Sequence, residues 1–167
     1  QNHILEVRMD GTYGVTPNVI QLLIAKFPEE GKEQVAEKAM QEYAKIPSES
    51  GKEGVLLDTL AKDFGVSGYT IDRQADCLVL RSDSKWLFSA HIDRVAQGDM
   101  VAKGDYLIGQ LDNVISVGIL KQLVDEGYRP NIIFTTKEEQ LESSSQLIRN
   151  VSPGKNLIVL DVDRANN

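Results

Sequence analysis

Four short segments of the chain bring acidic side chains to the ends of apolar runs, and one of them adds a histidine. Trp86-Leu87-Phe88-Ser89-Ala90 leads into His91-Ile92-Asp93, and Ile132-Ile133-Phe134-Thr135-Thr136 leads into Lys137-Glu138-Glu139. Leu157-Ile158-Val159-Leu160 leads into Asp161-Val162-Asp163, and Leu111-Asp112-Asn113 stands just before a stretch of helical period. Carboxylates gathered without a cation repel one another and cannot all ionise. One divalent metal, or a pair, resolves that conflict. Histidine with aspartate and glutamate, and no thiolate, is a donor set for zinc, and cobalt or manganese would also accept it. Each segment taken alone has a plainer reading. His91 would be a satisfied core or surface histidine, Glu138 and Glu139 a solvated loop, and Asp112 a helix N-cap. Only the four together favour a metal.

The elements needed to bring these segments together are legible in the periodicity. Tyr69–Asp72, Cys77–Arg81, Trp86–Ala90 and Asp105–Gly109 have the length and composition of short strands. Asn113–Asp125 has Ile115, Ile119 and Leu123 at helical spacing, with Gly127 to end it and Pro130 beyond. Asn131–Thr136 and Asn156–Val162 are strands of buried type, with a helix predicted over Gln140–Arg149 between them. Alternating strands and helices with unbroken apolar strands predict an α/β fold, a mixed, largely parallel sheet with helices on both faces. Ligands in such sheets collect at the carboxyl ends of the strands.

Before residue 47 the pattern is mainly helical. His3–Met9 could form an edge strand, with a turn from Asp10-Gly11 to Gly14. Thr16-Pro17 reads as an N-cap and N1 proline ahead of Val19, Leu22, Leu23 and Phe27. A second helix carries Val35, Ala39, Met40 and Tyr43, and Ser50 is placed to cap a third carrying Leu56, Leu60 and Phe64. The expected organisation is a helical segment over 1–46 packed on an α/β core over 47–167, one compact domain overall.

Acidic residues outnumber basic ones, 25 to 18, for a net charge of −7. That balance argues against a nucleic-acid partner, which needs a basic face, and favours holding cations. The single cysteine, Cys77, excludes a disulfide framework and a thiolate zinc site, and its apolar strand context predicts packing. No apolar run approaches the roughly 20 residues that span a bilayer, and no signal peptide is visible. A cytoplasmic protein without a membrane partner is the expectation, with self-association into a homo-oligomer left open.

The order and context of the four segments, above all Ser89-Ala90-His91-Ile92-Asp93, resemble the di-zinc exopeptidase superfamily. These are the zinc aminopeptidases and glutamyl-aminopeptidase-like metallopeptidases, built on a phosphorylase/hydrolase-like core. The likeness runs from about residue 40 to 163. Ile46-Pro47-Ser48-Glu49-Ser50-Gly51-Lys52-Glu53 is similar to the loop of that group's N-terminal helix-loop-helix. The resemblance implies an aminopeptidase acting on a peptide substrate with one or two zinc ions. His91 and Asp161 would bind the first metal, with Asp163 as alternate to Asp161. Asp112 would bridge both metals, and Glu139 would bind the second. Glu138 would be the general base, Asp93 would orient the imidazole, and Asn113 would shape the turn after Asp112, where the group often has a cis peptide.

The chain departs from the pattern in three places. The group's second metal takes a further histidine well downstream of Asp161, whereas the only other histidine here is His3. A longer parent enzyme, a degenerate relative that binds without catalysing, or His3 serving in a swapped arrangement would each account for that. Glycines that usually follow the paired glutamates are replaced by Gln140-Leu141-Glu142-Ser143. Only 20 residues lie between His91 and Asp112, too few for the lid domain that some members insert there. Two rivals remain: a non-catalytic module kept for binding, and a phosphohydrolase built on the Asp161-Val162-Asp163 pair.

Overall fold

Side chains alternate along a strand, so a central sheet can have two apolar faces only if both odd and even positions are apolar. Cys77–Arg81 meets that condition: Leu78 and Leu80 enter one core, Cys77 and Val79 the other. The computed structural model describes residues 5–7, 13–15, 32–98, 101–103, 106–110, 112–140 and 147–161. Its strands are β1 (Leu5–Val7), β2 (Tyr13–Val15), β3 (Thr70–Arg73), β4 (Cys77–Arg81), β5 (Trp86–His91), β6 (Val101–Lys103), β7 (Tyr106–Ile108), β8 (Asn131–Thr135) and β9 (Asn156–Leu160). Its α-helices are α1 (Lys32–Ala44), α2 (Gly54–Asp63), α3 (Val114–Asp125) and α4 (Ile148–Val151).

The main sheet has five strands in the order β3-β4-β8-β5-β9. β5 lies parallel to β8 and to β9, while β4 is antiparallel to both β3 and β8. Four strands therefore point one way and β4 is reversed, the mixed and largely parallel sheet expected. The larger core lies on the face covered by α1, α2 and α3, which includes Leu56, Leu60, Phe64, Leu120, Ile132 and Phe134. Phe64 and Phe134 meet edge to face at 5.2 Å between ring centroids, a contact worth about 0.5–1.5 kcal/mol beyond its area. On the opposite face Leu87, Ile133 and Cys77 pack with Val151 and Ile148 of α4. Cys77 is thus a packing residue, and burial pushes its thiol up.

Helix ends follow local chemistry. α3 stops where Gly127 adopts φ +96°. The Gly127 amide donates to Val124 and the Tyr128 amide to Leu123, the paired bonds that satisfy the last carbonyls of a helix with a left-handed stop. α2 begins at Gly54 after Glu53, with no side-chain cap. Ser50 is therefore not its cap; the Ser50 hydroxyl is engaged elsewhere. β2 occupies Tyr13–Val15, paired antiparallel with β1, where the sequence suggested turn up to Gly14. β6 pairs with β7 in a hairpin between His91 and Asp112, and β6 has too short an apolar run to be foreseen. Among the described residues no helix is long and apolar enough to cross a membrane. The helix expected over Thr16–Phe27, His3, Asp163 and most of the helix expected over Gln140–Arg149 lie outside the described residues.

Candidate metal centre

The parallel strands β8, β5 and β9 are neighbours, so their carboxyl ends lie side by side. His91 is the last residue of β5 and Asp161 follows β9 directly. Asp112 arrives from the loop before α3. One ligand atom from each of His91, Asp112 and Asp161 lies within 4.8 Å of the others. The His91 ring is buried, and its Nε2 stands 3.0 Å from Asp112 Oδ1 and 3.2 Å from Asp161 Oδ1.

The other ring nitrogen decides what Nε2 can do. His91 Nδ1 lies 3.2 Å from the backbone carbonyl oxygen of Asp93. A carbonyl can only accept, so this geometry assigns the Nδ1 position as the donor. A neutral imidazole then presents a lone pair from Nε2 toward two carboxylates, the tautomer of a metal ligand. Asp112 Oδ1 is buried without a hydrogen-bond partner among the described residues, although Nε2 approaches it at 3.0 Å. A proton on Nε2 could serve only one of the two oxygens well. Burial would push the imidazole pKa down, but Asp112, Asp161 and Asp93 overcome it and raise the pKa to about 12. Three electron-rich groups thus converge on one point that asks for positive charge. Zinc fits this set: one imidazole nitrogen and two carboxylates, the count of protein ligands that catalytic zinc sites use.

Asn113 ties the Asp112 turn to the sheet. It is fully buried, and its Nδ2 donates to the Leu160 carbonyl at 2.8 Å while the Ser116 hydroxyl donates to its Oδ1. The start of α3 is thereby tied to the end of β9, which sets Asp112 beside Asp161. Asn113, not Asp112, is the N-cap position of α3, so the capping reading of Asp112 does not hold. The Asp112–Asn113 peptide is cis, as the resemblance implied.

Glu138 and Glu139 do not continue β8. They form a 3-10 turn, Glu138–Gln140, where successive side chains point roughly 120° apart. Burial raises the Glu138 carboxyl, with Asp161, Asp93 and Asp112 adding to the rise against the opposing pull of His91. Burial also raises Glu139, with Asp112 the next cause. The turn is hung from Asp93. That residue is wholly buried, and its Oδ1 accepts the Glu138 amide at 3.0 Å and its Oδ2 the Glu139 amide at 2.9 Å. The Ser50 hydroxyl donates to the same carboxylate. Burial alone would raise Asp93, but His91, Ser50 and the two amides hold it at about 2. Its carboxylate lies 3.5 Å from His91 Nδ1, so the carbonyl is the nearer orienting group for the ring and the carboxylate chiefly organises the glutamate turn.

Arg94 was not singled out by its sequence context. Its side chain is completely buried. The guanidinium donates to the carbonyls of Ala44 at 2.9 Å and Ile46 at 3.0 Å, and Nε donates to the Ser48 hydroxyl oxygen at 2.8 Å. A cation on the last carbonyls of α1 also suits the helix dipole. The Arg94 amide donates to the Ser48 carbonyl and the Ser50 amide to the Arg94 carbonyl. The 46–50 loop is therefore fastened directly beside Asp93. The only sequence signal was the family-like loop Ile46–Glu53, to which no role attached.

No protein-family model and no curated protein matches this sequence. Solved structures do match in fold. The aminopeptidase PepT from Bacillus cereus ATCC 10987 superposes with a TM-score of 0.59 at 19% identity, over 79% of this chain and 44% of that one. A tripeptidase from Staphylococcus aureus subsp. aureus Mu50 gives a TM-score of 0.57 at 19% identity, with the same coverage of each chain. The chain spans less than half the length of these structures, and it shares with them the mixed α/β fold that carries the candidate centre.

Proposed function

We propose that this chain is a metal-dependent hydrolase of the aminopeptidase type, releasing residues from the free amino end of short peptides. One observation carries the reading: three segments aim His91, Asp112 and Asp161 at a common point where, among the described residues, Asp112 Oδ1 has no hydrogen-bond partner. The fold neighbours are an aminopeptidase and a tripeptidase, which favours peptides as the substrate class. His91, Asp112 and Asp161 would hold a first zinc, and Asp112 with Glu139 would contribute to a second; cobalt or manganese would suit the same donors. Bound zinc supplies a Lewis acid that polarises the scissile carbonyl and makes a water more acidic.

The protein's own residues would do the rest. Glu138 accepts the proton of the attacking water at its carboxylate and returns it to the departing amine nitrogen. Asp93 fixes both glutamates through their amides, so that one can serve the proton while its neighbour serves the metal. Asp161 faces His91 at 3.2 Å, which favours a ligand over the nucleophile that a phosphohydrolase would need.

The test is zinc or cobalt titration followed by assay on di- and tripeptides with free amino ends. Glu138→Gln is expected to retain the metal and lose about 10²–10⁴-fold in turnover, the usual contribution of a general base. Loss of metal in that variant would exchange the roles of the two glutamates. A second reading, binding without turnover, draws on the second position, for which only Asp112 and Glu139 are assigned; wild-type protein that binds metal and leaves peptides intact would establish it.

A further inference from the structure

Three consecutive backbone amides at the glutamate turn each donate to a carboxylate. Lys137 donates to Glu53 Oε1 at 3.1 Å, Glu138 to Asp93 Oδ1 at 3.0 Å and Glu139 to Asp93 Oδ2 at 2.9 Å. Lys137 has φ +60°, a left-handed conformation that a non-glycine residue adopts only where its surroundings enforce it. Glu53 is itself buried, 4% exposed, and stands 84 residues earlier in the chain. Ser50, three residues before it, donates to Asp93, and its carbonyl accepts the Gln140 side chain at 3.0 Å. Both ends of the turn are therefore gripped by one short segment, and Arg94 fastens the loop leading into that segment.

We propose that Glu53 and Ser50 are positioning residues for the paired glutamates. Glu53 holds the left-handed bend that turns the chain out of β8, and Ser50 holds the Asp93 carboxylate in the rotamer that receives both glutamate amides. Neither touches the reacting atoms. Their role rests on the peptidase reading only in what the two glutamates do; the grip on the turn is a property of the metal-free chain. A purely structural role, anchoring the start of α2, would act on α2 and the core instead of on three amides beyond β8.

The experiment uses the whole chain and four variants: Glu53→Ala, Glu53→Gln, Ser50→Ala and Ser50→Thr. Amide hydrogen exchange is measured without metal at residues 137–139, with the β8 amides of Ile132–Phe134 as internal reference. Glu53→Ala should speed exchange at Lys137 about tenfold, the effect of losing one buried hydrogen bond. Ser50→Ala should speed it at Glu138 and Glu139 with β8 unchanged, and the Gln and Thr variants, which keep an acceptor and a hydroxyl, should restore protection. Cobalt titration, followed by the visible spectrum of the ion, should show about 10–100-fold weaker binding in both Ala variants. Unchanged exchange at 137–139, or an equal rise in β8, would overturn the proposal. Should wild-type protein bind no cobalt, the exchange data still decide the positioning role, and the peptidase reading alone fails.

Discussion

Two aspartates less than 20 residues apart in the chain have been treated in opposite ways by the fold. Asp93 is sealed from solvent and saturated: two backbone amides and a hydroxyl donate to it, with an imidazole nearby. Asp112 keeps 40% of its side chain exposed, yet its buried Oδ1 has no hydrogen-bond partner among the described residues. Buried carboxylates are stable when donors surround them and costly when donors are lacking. The first arrangement is complete within the protein and organises other groups. The second faces the His91 imidazole and the Asp161 carboxylate, and a divalent cation would satisfy all three groups better than one shared proton. The contrast separates a residue that organises its neighbours from one proposed to hold a metal.

Removing Asp93 should therefore be expensive and removing Asp112 should not. Asp93→Ala leaves the Glu138 and Glu139 amides and the Ser50 hydroxyl without their acceptor. Hydrogen bonds to a charged group are each worth about 1.5–3 kcal/mol, so the two amide bonds alone make a loss of about 3–6 kcal/mol expected, read as a lower urea midpoint. A loss below about 1 kcal/mol would show that the donors find other partners and would erase the contrast.

Metal sharpens the comparison from the other side. Zinc at one hundred times its dissociation constant should stabilise the wild-type chain by about 2.7 kcal/mol, with chelator reversing the gain in thermal denaturation. Asp112→Asn should abolish that gain while changing metal-free stability by less than about 1 kcal/mol, because the Asp112 side chain is 40% exposed and its pairing with His91 is screened by solvent. Full metal-linked stabilisation in this variant would refute the role of Asp112 as a ligand.

These two aspartates also mark what could be read in the sequence. The strand–acid junctions at His91, Glu138 and Asp161 were legible because unbroken apolar runs such as Ile132–Phe134, wholly buried in β8, announce interior strands. Sheet class followed from the same runs. The reversal of β4 did not follow, since a strand buried on both faces reads alike in either direction. Nor did the roles of Ser50, Glu53 and Arg94. The partners that define those roles lie 43 to 90 residues away, and a serine or glutamate in a polar loop carries no periodic signal. Ser50 looked like a cap because serine favours helix starts; the donor-hungry Asp93 carboxylate took its hydroxyl instead. The glutamate pair follows the apolar run in the sequence and lies on a 3-10 turn, because the bend at Lys137 turns the chain out of β8 before them.

Between the saturated and the orphaned aspartate lies an intermediate, Asp63, whose Oδ2 accepts the hydroxyl of Tyr43 at 3.1 Å. Burial, and then the facing Asp63 carboxylate, push the Tyr43 hydroxyl well above its ordinary range. The folded state thus favours the protonated phenol more than the unfolded chain does. That contribution is fully present below the unfolded pKa near 10 and is lost as pH rises from there toward the higher folded value. Stability of the wild-type chain should therefore fall above about pH 10. Tyr43→Phe should cost about 1 kcal/mol at neutral pH, the usual net value of one hydrogen bond, and should flatten that alkaline decline in denaturant titrations. If the mutant declined as steeply as wild type, Tyr43 would not be the titrating group. If the neutral-pH cost reached that of Asp93→Ala, the number of donors would not set the worth of a buried carboxylate in this fold.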